Sequence, residues 1–270
     1  MKKFFFLFIL SATLSLSSIS QETADSTVVP ETDPTILFFQ QGEKVNDPAK
    51  TLLVTNARKT VSLKKFTETE LSDYADHVLA DLDNDGKKEL LLYDFTGGAH
   101  CCDEIYIFRN TAPGKYQHVA KLFAGNTMIT ADKQFVFNFY EHFGYFFTCF
   151  ACAYTDTTDE APLEVRSIHL KYVQGKLLVV KGDQELRSAI NDNLGKLGEQ
   201  PYEVLEDEIS FDNGLRKEVA LNLAVFYYSF GKSLPATKQL FDKYYKFPDA
   251  RKVWTAIVKN LKQVRTNNDF

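Results

Sequence analysis

A run of acidic residues with one glycine separates two apolar segments of this sequence. Its carboxylates fall at alternate positions and end with a glutamate: Asp81, Asp83, Asp85 and Glu89. Carboxylates this close repel one another unless a cation lies among them, and hard divalent cations prefer oxygen ligands. Gly86 stands where the loop reverses, a position at which a missing Cβ relieves the backbone. The spacing therefore predicts a metal-binding loop.

Two kinds of calcium loop fit part of this pattern. A helix-flanked EF-hand needs an apolar residue at loop position 8 and a bidentate glutamate at position 12, but Lys88 and Leu92 occupy those positions here. The alternative is a loop between two β-strands, in which the four carboxylates and the backbone carbonyl of Lys87 are ligands. Because all these ligands are oxygens, we expect a structural Ca²⁺ rather than Mg²⁺, which prefers fewer protein ligands and more water.

The acidic loop and its apolar flanks resemble the calcium loop of FG-GAP blades, the propeller units of integrin α subunits, which also occur as VCBS-type repeats in bacterial exported proteins. The resemblance covers residues 77–123 and implies four strands, with the metal loop between the first two. The implied strands are 77–81, 89–95, 103–109 and 116–123. Because a propeller needs at least four blades and this chain has one such loop, the resemblance implies a single blade-like sheet without integrin-type ligand binding.

A second motif, Gly97-Gly-Ala-His-Cys-Cys102, follows the segment after the acidic loop. The loop together with this motif is similar to an uncharacterised group of bacterial exported proteins that end in short helices. That resemblance covers most of the chain and implies no known activity. His100 is a candidate functional side chain near the metal loop, although a histidine in such a turn more often fixes the turn by hydrogen bonding.

The chain has four cysteines: Cys101, Cys102, Cys149 and Cys152. An even number in an exported protein favours disulfides. If both segments are strands, the pairing joins 101 with 149 and 102 with 152, or 101 with 152 and 102 with 149. The third pairing, 101 with 102 and 149 with 152, ranks last because bonds between adjacent residues are strained. A zinc site that includes His100 and a redox Cys-x-x-Cys centre are alternatives that export and a strand-like context disfavour.

The first residues have the features of a secretory signal. Lys2 and Lys3 precede an apolar stretch, and small residues stand before Gln21. No later stretch is apolar enough to cross a bilayer, so we expect an exported protein, periplasmic or secreted, with no membrane span after cleavage. The net charge is −5 without a basic stripe, which argues against a nucleic-acid partner. The expected partner is a protein or a glycan of unknown identity.

The patterning of apolar residues predicts an α+β fold. Short apolar runs broken by turn residues predict antiparallel β-sheet, and the pair Gln174-Gly175 predicts the turn of a late hairpin. Beyond Gly182 the apolar residues recur at helical spacing, which predicts a small antiparallel helical region. The predicted organisation is a signal peptide (1–20), a flexible linker (21–34), a β domain with the calcium loop and cysteines (35–182), and a helical region (183–270).

Signatures of catalysis are missing from the sequence. It has no nucleophile elbow, phosphate loop, dinucleotide fingerprint or His-Glu-x-x-His motif. We therefore assign no catalytic residue and favour a non-enzymatic binding or scaffold protein stabilised by calcium and disulfides. The alternative is a calcium-dependent hydrolase acting on envelope polysaccharide or peptide. A cleft between the β and helical parts, lined with carboxylates or a histidine of perturbed pKa, would favour that alternative.

Overall fold

The computed structural model describes a defined part of the chain. The described residues are 44–46, 53–56, 59–62, 76–95, 103–112, 115–123, 128–152, 154, 165–200 and 214–270. The predicted signal peptide and linker lie outside them, as do His100, Cys101 and Cys102. Residues Pro34–Phe270 form one compact unit, which includes both the strands and the helices.

The described strands form three antiparallel sheets. The first contains β1 (Lys44–Asn46), β2 (Leu53–Asn56) and β3 (Lys59–Ser62). The second, here called the meander, contains β4 (Asp76–Ala80), β5 (Glu89–Phe95), β6 (Asp103–Ala112) and β7 (Lys115–Phe123) in that order. The third contains β8 (Met128–Ile129), β9 (Gln134–Asn138), β10 (Ser167–Val173) and β11 (Lys176–Val179), in the order β11-β10-β9-β8.

In the described ranges, one short helix interrupts the strands and four longer helices follow them. They are α1 (Tyr140–Phe143), α2 (Gln184–Gly198), α3 (Leu215–Ser229), α4 (Leu234–Tyr244) and α5 (Ala250–Asn267). Asp183 and Ser233 cap α2 and α4, since their side chains accept hydrogen bonds from backbone N–H groups of the first turn. Within the described part of the chain, no helix is long and apolar enough to cross a membrane. The predicted α+β class is confirmed.

One hydrophobic core joins the meander, the third sheet and the helices. Alternate residues of the meander, such as Leu91 and Ile107, are fully buried in it, together with Phe137 of β9 and Leu221 of α3. Because side chains alternate across a strand, these meander residues share one face, and residues of the opposite face such as Leu90 and Phe108 are buried as well. Helix α3 contacts β10, and α5 contacts β7. The helices therefore cover the sheets from within the same unit.

The segment after α5 lies along the outer edge of the meander. The Asp269 backbone N–H donates to the Lys121 carbonyl at 3.0 Å, and the Lys121 N–H donates to Asp269 Oδ2 at 2.8 Å. The N–H of Phe123 donates to Asn268 Oδ1 at 2.6 Å. Since β7 is the last strand of the meander, residues 268–269 satisfy backbone groups that an edge strand otherwise leaves open.

Helix α3 is buried on all sides, including the charged residues of its first turn. Lys217 has no exposed surface, and its ammonium donates to the carbonyls of Gly144, Cys149 and Phe150 at 3.0–3.2 Å and to the Tyr140 hydroxyl at 3.0 Å. A buried ammonium is costly unless its protons find acceptors. These acceptors therefore tie the segment after α1 to the centre of the helical region.

The two neighbours of Lys217 in α3 form ion pairs with other elements. Arg216 Nε lies 2.7 Å from Asp249 Oδ2, just before α5, and Glu218 Oε1 lies 2.6 Å from an Arg166 guanidinium nitrogen, just before β10. Burial raises the pKa of Glu218, and the charge of Arg166 opposes that rise. These pairs are the compensation that buried charges need.

The cysteine pairing corrects the sequence analysis. Cys149 and Cys152 form a disulfide with each other, with 5.1 Å between their Cα atoms. The disulfide prediction is confirmed for these two residues, but the preferred pairing across segments is wrong for them. The preference assumed a strand, in which the two sulfurs would point to opposite faces. The segment is instead a series of turns, and the Cys152 N–H donates to the Cys149 carbonyl at 3.2 Å.

Replacing Lys217 with methionine removes the ammonium that donates to three loop carbonyls. The Cys149 and Phe150 carbonyls keep a second donor, the Cys152 N–H and the Tyr140 hydroxyl. We expect Lys217→Met to lower the free energy of unfolding by about 2–4 kcal/mol in urea titrations. The control is Lys238→Met, which removes a surface pair with Asp242 at 2.5 Å and should cost less than about 0.5 kcal/mol. Equal losses in the two variants would contradict the structural role of Lys217.

Stability should also depend on pH through His142. Burial lowers the pKa of His142 from 6.5 to about 4, and in the described part of the chain its Nδ1 has no hydrogen-bond partner. The unfolded chain binds this proton more readily, so the stabilisation by neutral His142 is complete above pH 6.5 and declines toward pH 4. We expect a loss of about 3 kcal/mol across this window.

Urea unfolding at a series of pH values measures this dependence. His142→Gln should flatten the curve between about pH 6.5 and pH 4, because glutamine does not titrate. His169 is exposed and its ring lies 3.1 Å from Gln134 Oε1, so His169→Gln serves as the control and should retain the wild-type curve. A wild-type slope in His142→Gln would show that other groups cause it.

Candidate metal centre

The acidic loop connects β4 to β5 at one end of the meander. The hairpin register pairs Ala80 with Glu89, so the loop begins directly after the last paired residue of β4. Both flanks are strands, as the strand-to-strand interpretation requires, and the helices of an EF-hand are not present around this loop. Asn84 and Gly86 have positive φ angles of 58° and 83°, which reverse the chain within the loop.

Three of the four predicted carboxylates come together. Asp81, Asp83 and Glu89 each offer a ligand atom, and these atoms lie within 4.8 Å of one another. Glu89 is only 1% exposed, and the two aspartates are partly buried. The cluster could hold a metal ion.

Backbone N–H groups of the loop orient these carboxylates. Asp81 accepts hydrogen bonds from the N–H groups of Asp85 and Gly86, both at 3.1 Å. Glu89 Oε2 accepts one from the Leu82 N–H at 3.0 Å. Such bonds hold a carboxylate in place and leave its remaining lone pairs for another partner.

Asp85 is exposed and lies outside the cluster of three. Its Oδ1 accepts a hydrogen bond from the Lys87 N–H at 2.8 Å, and its Oδ2 lies 3.9 Å from the Lys87 ammonium. Lys87 is also exposed. Asp85 and the Lys87 carbonyl therefore remain predicted ligands.

The cluster is electrostatically unfavourable without a cation. Burial raises the pKa of Glu89, and the charges of Asp83 and Asp85 raise it further, while the hydrogen bond from the Leu82 N–H acts in the opposite direction. A raised carboxyl pKa means that the ionised form is disfavoured at this position. A divalent cation among the carboxylates would reverse that preference.

The third sheet contacts the acidic loop at two turns. At the β8–β9 turn, the Lys133 ammonium donates to the Asp81 carbonyl and, at 2.6 Å, to Asn84 Oδ1. At the β10–β11 turn, the Gln174 N–H donates to Asp83 Oδ2 at 3.2 Å. The predicted Gln174-Gly175 hairpin turn is confirmed, with φ angles of 50° and 85°. Two sheets thus meet at the loop.

Two polar atoms near this junction are buried without a hydrogen-bond partner in the described part of the chain. They are Asp83 Oδ1 and the hydroxyl of Tyr172, a residue of β10 that has no exposed surface. Burial raises the pKa of Tyr172, and the charges of Glu89 and Asp83 raise it further. The hydroxyl therefore lies close enough to the carboxylates of Asp83 and Glu89 to interact with them electrostatically.

Sequence reasoning identified the carboxylates but missed the groups that surround them. Lys133, Tyr172 and Gln174 are far from the loop in the sequence, and no local motif marks them. The Gln174-Gly175 turn was predicted, but nothing in its residues indicates that its N–H reaches an aspartate 91 positions away. The motif containing His100 lies outside the described residues.

A second candidate site is a cleft of about 430 Å³ between the meander and the end of α5. Its lining comprises Glu104, Tyr106, His118, Lys121, Phe123, Thr266, Asn267 and Asp269. Glu104 accepts a hydrogen bond from the Tyr106 hydroxyl and lies 2.6 Å from the Lys121 ammonium. Burial, the largest single effect, lowers the pKa of Lys121, but the hydrogen bonds and charges of Glu104 and Tyr106 together outweigh it, so that the pKa is raised.

Similarity to known proteins does not assign either site. No protein-family model matches the chain, and the comparisons with curated proteins and with solved structures found no match to it.

Proposed function

We propose that this chain is an exported, disulfide-stabilised binding or scaffold protein in which a structural calcium ion occupies the acidic loop. The observation that carries the proposal is the convergence of Asp81, Asp83 and Glu89 in a strand-to-strand loop that also contacts the third sheet. Neutralising these carboxylates would stabilise the junction between the two sheets.

The chemistry of the cluster favours calcium. Among the described residues, every candidate side-chain ligand is a carboxylate, the type that hard cations prefer over the sulfur and imidazole ligands of zinc or copper sites. Calcium accepts irregular sets of six to eight oxygens, whereas magnesium requires near-ideal octahedral geometry and keeps several waters. Asp85 and the Lys87 carbonyl, which lie in the same loop, are available to complete a larger calcium shell.

The surroundings of the cluster favour a structural role for the ion. The Glu89 carboxylate is almost entirely buried, and the loop lies against two turns of the third sheet. The cleft residue Glu104 pairs with Asp94, near the other end of β5. An ion bound at the loop would therefore stabilise the scaffold and would not face that cleft.

Two features support export and a relationship to other exported proteins. The disulfide between Cys149 and Cys152 suits an oxidising compartment, in agreement with the signal predicted at residues 1–20. The four-stranded meander with its acidic loop between the first two strands is the arrangement that the FG-GAP resemblance implies. As part of the proposal, the sheet is a single blade of that type.

Calcium should bind to the purified protein and raise its melting temperature. Ligand binding stabilises by mass action, by about 2.7 kcal/mol at 100 times the dissociation constant, and a chelator should remove this gain. Isothermal titration calorimetry and thermal melts with and without chelator measure both effects. Unchanged melting at saturating chelator, together with no calorimetric signal, would refute the proposal.

Removing one carboxylate of the cluster should separate calcium binding from folding. Asp83→Asn and Glu89→Gln should each weaken calcium binding by at least about tenfold, because calcium affinity depends on the number of charged ligands. In chelator, Glu89→Gln should melt no lower than the wild type, since it replaces a disfavoured buried charge. The control is Asp132→Asn, an exposed carboxylate on the β8–β9 turn, which should bind calcium normally.

A calcium-dependent hydrolase acting on envelope polysaccharide or peptide is the second candidate function. The cleft supports it, because Glu104, His118 and Asp269 line one concave site between strands and a helix. Carboxylates and histidines are the usual general acids and bases of hydrolysis. His118 is partly exposed in this cleft, and its imidazole Nε2 is buried without a hydrogen-bond partner among the described residues.

The hydrolase alternative is tested with purified peptidoglycan and casein as substrates. If it holds, wild-type protein should release reducing ends or free amines, and Glu104→Gln should lower the rate by about a hundredfold. Lys238→Met, at a distant surface pair, is the control and should keep the wild-type rate. If neither substrate gives products when calcium is present, the hydrolase alternative is contradicted and the non-enzymatic proposal is retained.

A further inference from the structure

The strongest unexplained feature of the structure is a pair of buried polar atoms at the junction of the two sheets that have no hydrogen-bond partner among the described residues. Tyr172 Oη is a hydrogen-bond donor on the third sheet, and Asp83 Oδ1 is an acceptor in the acidic loop. Buried polar groups are nearly always paired, and each exception calls for an explanation. A donor and an acceptor left open at the same junction can satisfy each other.

Several interactions connect the strand that carries Tyr172 with the loop that carries Asp83. Gln174, two residues after Tyr172, already donates its N–H to the other oxygen of Asp83 at 3.2 Å. The charges of Glu89, Asp83 and Asp85 all act on the Tyr172 hydroxyl, after burial itself, to raise its pKa. Arg109 opposes them, and its side chain packs beside Gly175 in the same turn. The junction is therefore a closely packed polar region.

We propose that the metal site spans both sheets and that Tyr172 is its member on the third sheet. When a divalent cation binds among Asp81, Asp83 and Glu89, the Tyr172 hydroxyl donates a hydrogen bond to Asp83 Oδ1 and orients that carboxylate. This inference rests on the proposed calcium site. It makes Tyr172 a positioning residue, which acts through Asp83 and need not touch the ion.

A carboxylate that binds a metal ion can still accept hydrogen bonds on its remaining lone pairs, and this is the physical reason for the proposed arrangement. Groups that bond to a ligand from outside fix its orientation, and their removal weakens metal binding by roughly 10- to 100-fold. The Gln174 N–H already bonds to Asp83 Oδ2, and Tyr172 would bond to Oδ1. Cation binding would then fix the β10–β11 turn against the loop, so that occupancy of the site is transmitted to the third sheet.

Tyr172→Phe tests the proposal, because it removes one oxygen and keeps the ring in the core. With calcium alone as the probe in calorimetry, the variant should bind about tenfold more weakly than the wild type. In chelator its melting temperature should equal or exceed that of the wild type, since the lost hydroxyl has no hydrogen-bond partner within the described ranges of the chain. A purely structural tyrosine would give the opposite result, with lower melting and unchanged affinity.

Tyr228→Phe is the matched control. Tyr228 is a buried tyrosine of α3 whose hydroxyl donates to the Leu261 carbonyl at 3.3 Å. This variant should melt at a lower temperature with and without calcium and should keep the wild-type affinity. If Tyr172→Phe behaves in the same way, the inference is wrong and the calcium proposal stands. If the wild type binds no calcium, both fail.

Hydrogen exchange of the wild-type protein provides a second test that needs no variant. Calcium should slow exchange of the Gln174 amide, because fixing Asp83 strengthens the bond that this amide donates. Mass spectrometry of a peptide that contains Gln174, with calcium and with chelator, measures the change. Equal exchange in the two conditions, at calcium concentrations that saturate the calorimetric signal, would overturn the proposal even if Tyr172→Phe fails to fold.

Discussion

Mutual repulsion of carboxylates is the constraint around which this end of the molecule is arranged. Asp81, Asp83 and Glu89 lie within 4.8 Å of one another, and one of them is almost fully buried. N–H groups of the loop and the N–H of Gln174 donate hydrogen bonds to these carboxylates, and the ammonium of Lys133 donates to the Asp81 carbonyl. These groups come from two sheets, so the packing of the meander on the third sheet and the geometry of the loop depend on each other.

In the helical region, buried charges are stabilised by a different kind of partner. The ammonium of Lys217 is surrounded by neutral acceptors, three carbonyls and a hydroxyl, and carries its charge within a helix that is buried on all sides. Its neighbours in α3 are paired with Asp249 and Arg166. The buried charges of α3 thus have partners within the chain, whereas three carboxylates of the acidic loop lie close to one another. This difference explains why a cation is proposed for one end of the structure alone.

Local sequence patterns predicted much of the fold and the carboxylates of the candidate metal site. The strands of the meander and the hairpin at Gln174-Gly175 follow from short apolar runs and turn chemistry, both of which act over a few residues. The cysteine pairing was mistaken because residues 146–152 are rich in phenylalanine and resemble a strand, while the structure places them in turns held by Lys217. The contacts of Lys133 and Tyr172 with the loop join distant parts of the chain, and their residue types alone do not reveal them.

The segment at residues 268–269 has a consequence for how this molecule can associate with others. An edge strand with open backbone groups is a template on which another chain can add a strand. At Lys121 and Phe123 those groups are already bonded to Asn268 and Asp269. Growth of the meander past this part of β7 would first require displacement of the protein's own chain. A partner that binds at this edge would therefore contact side chains, including the polar groups of the adjacent cleft. It would not form hydrogen bonds to the backbone groups of Lys121 and Phe123 that are already bonded.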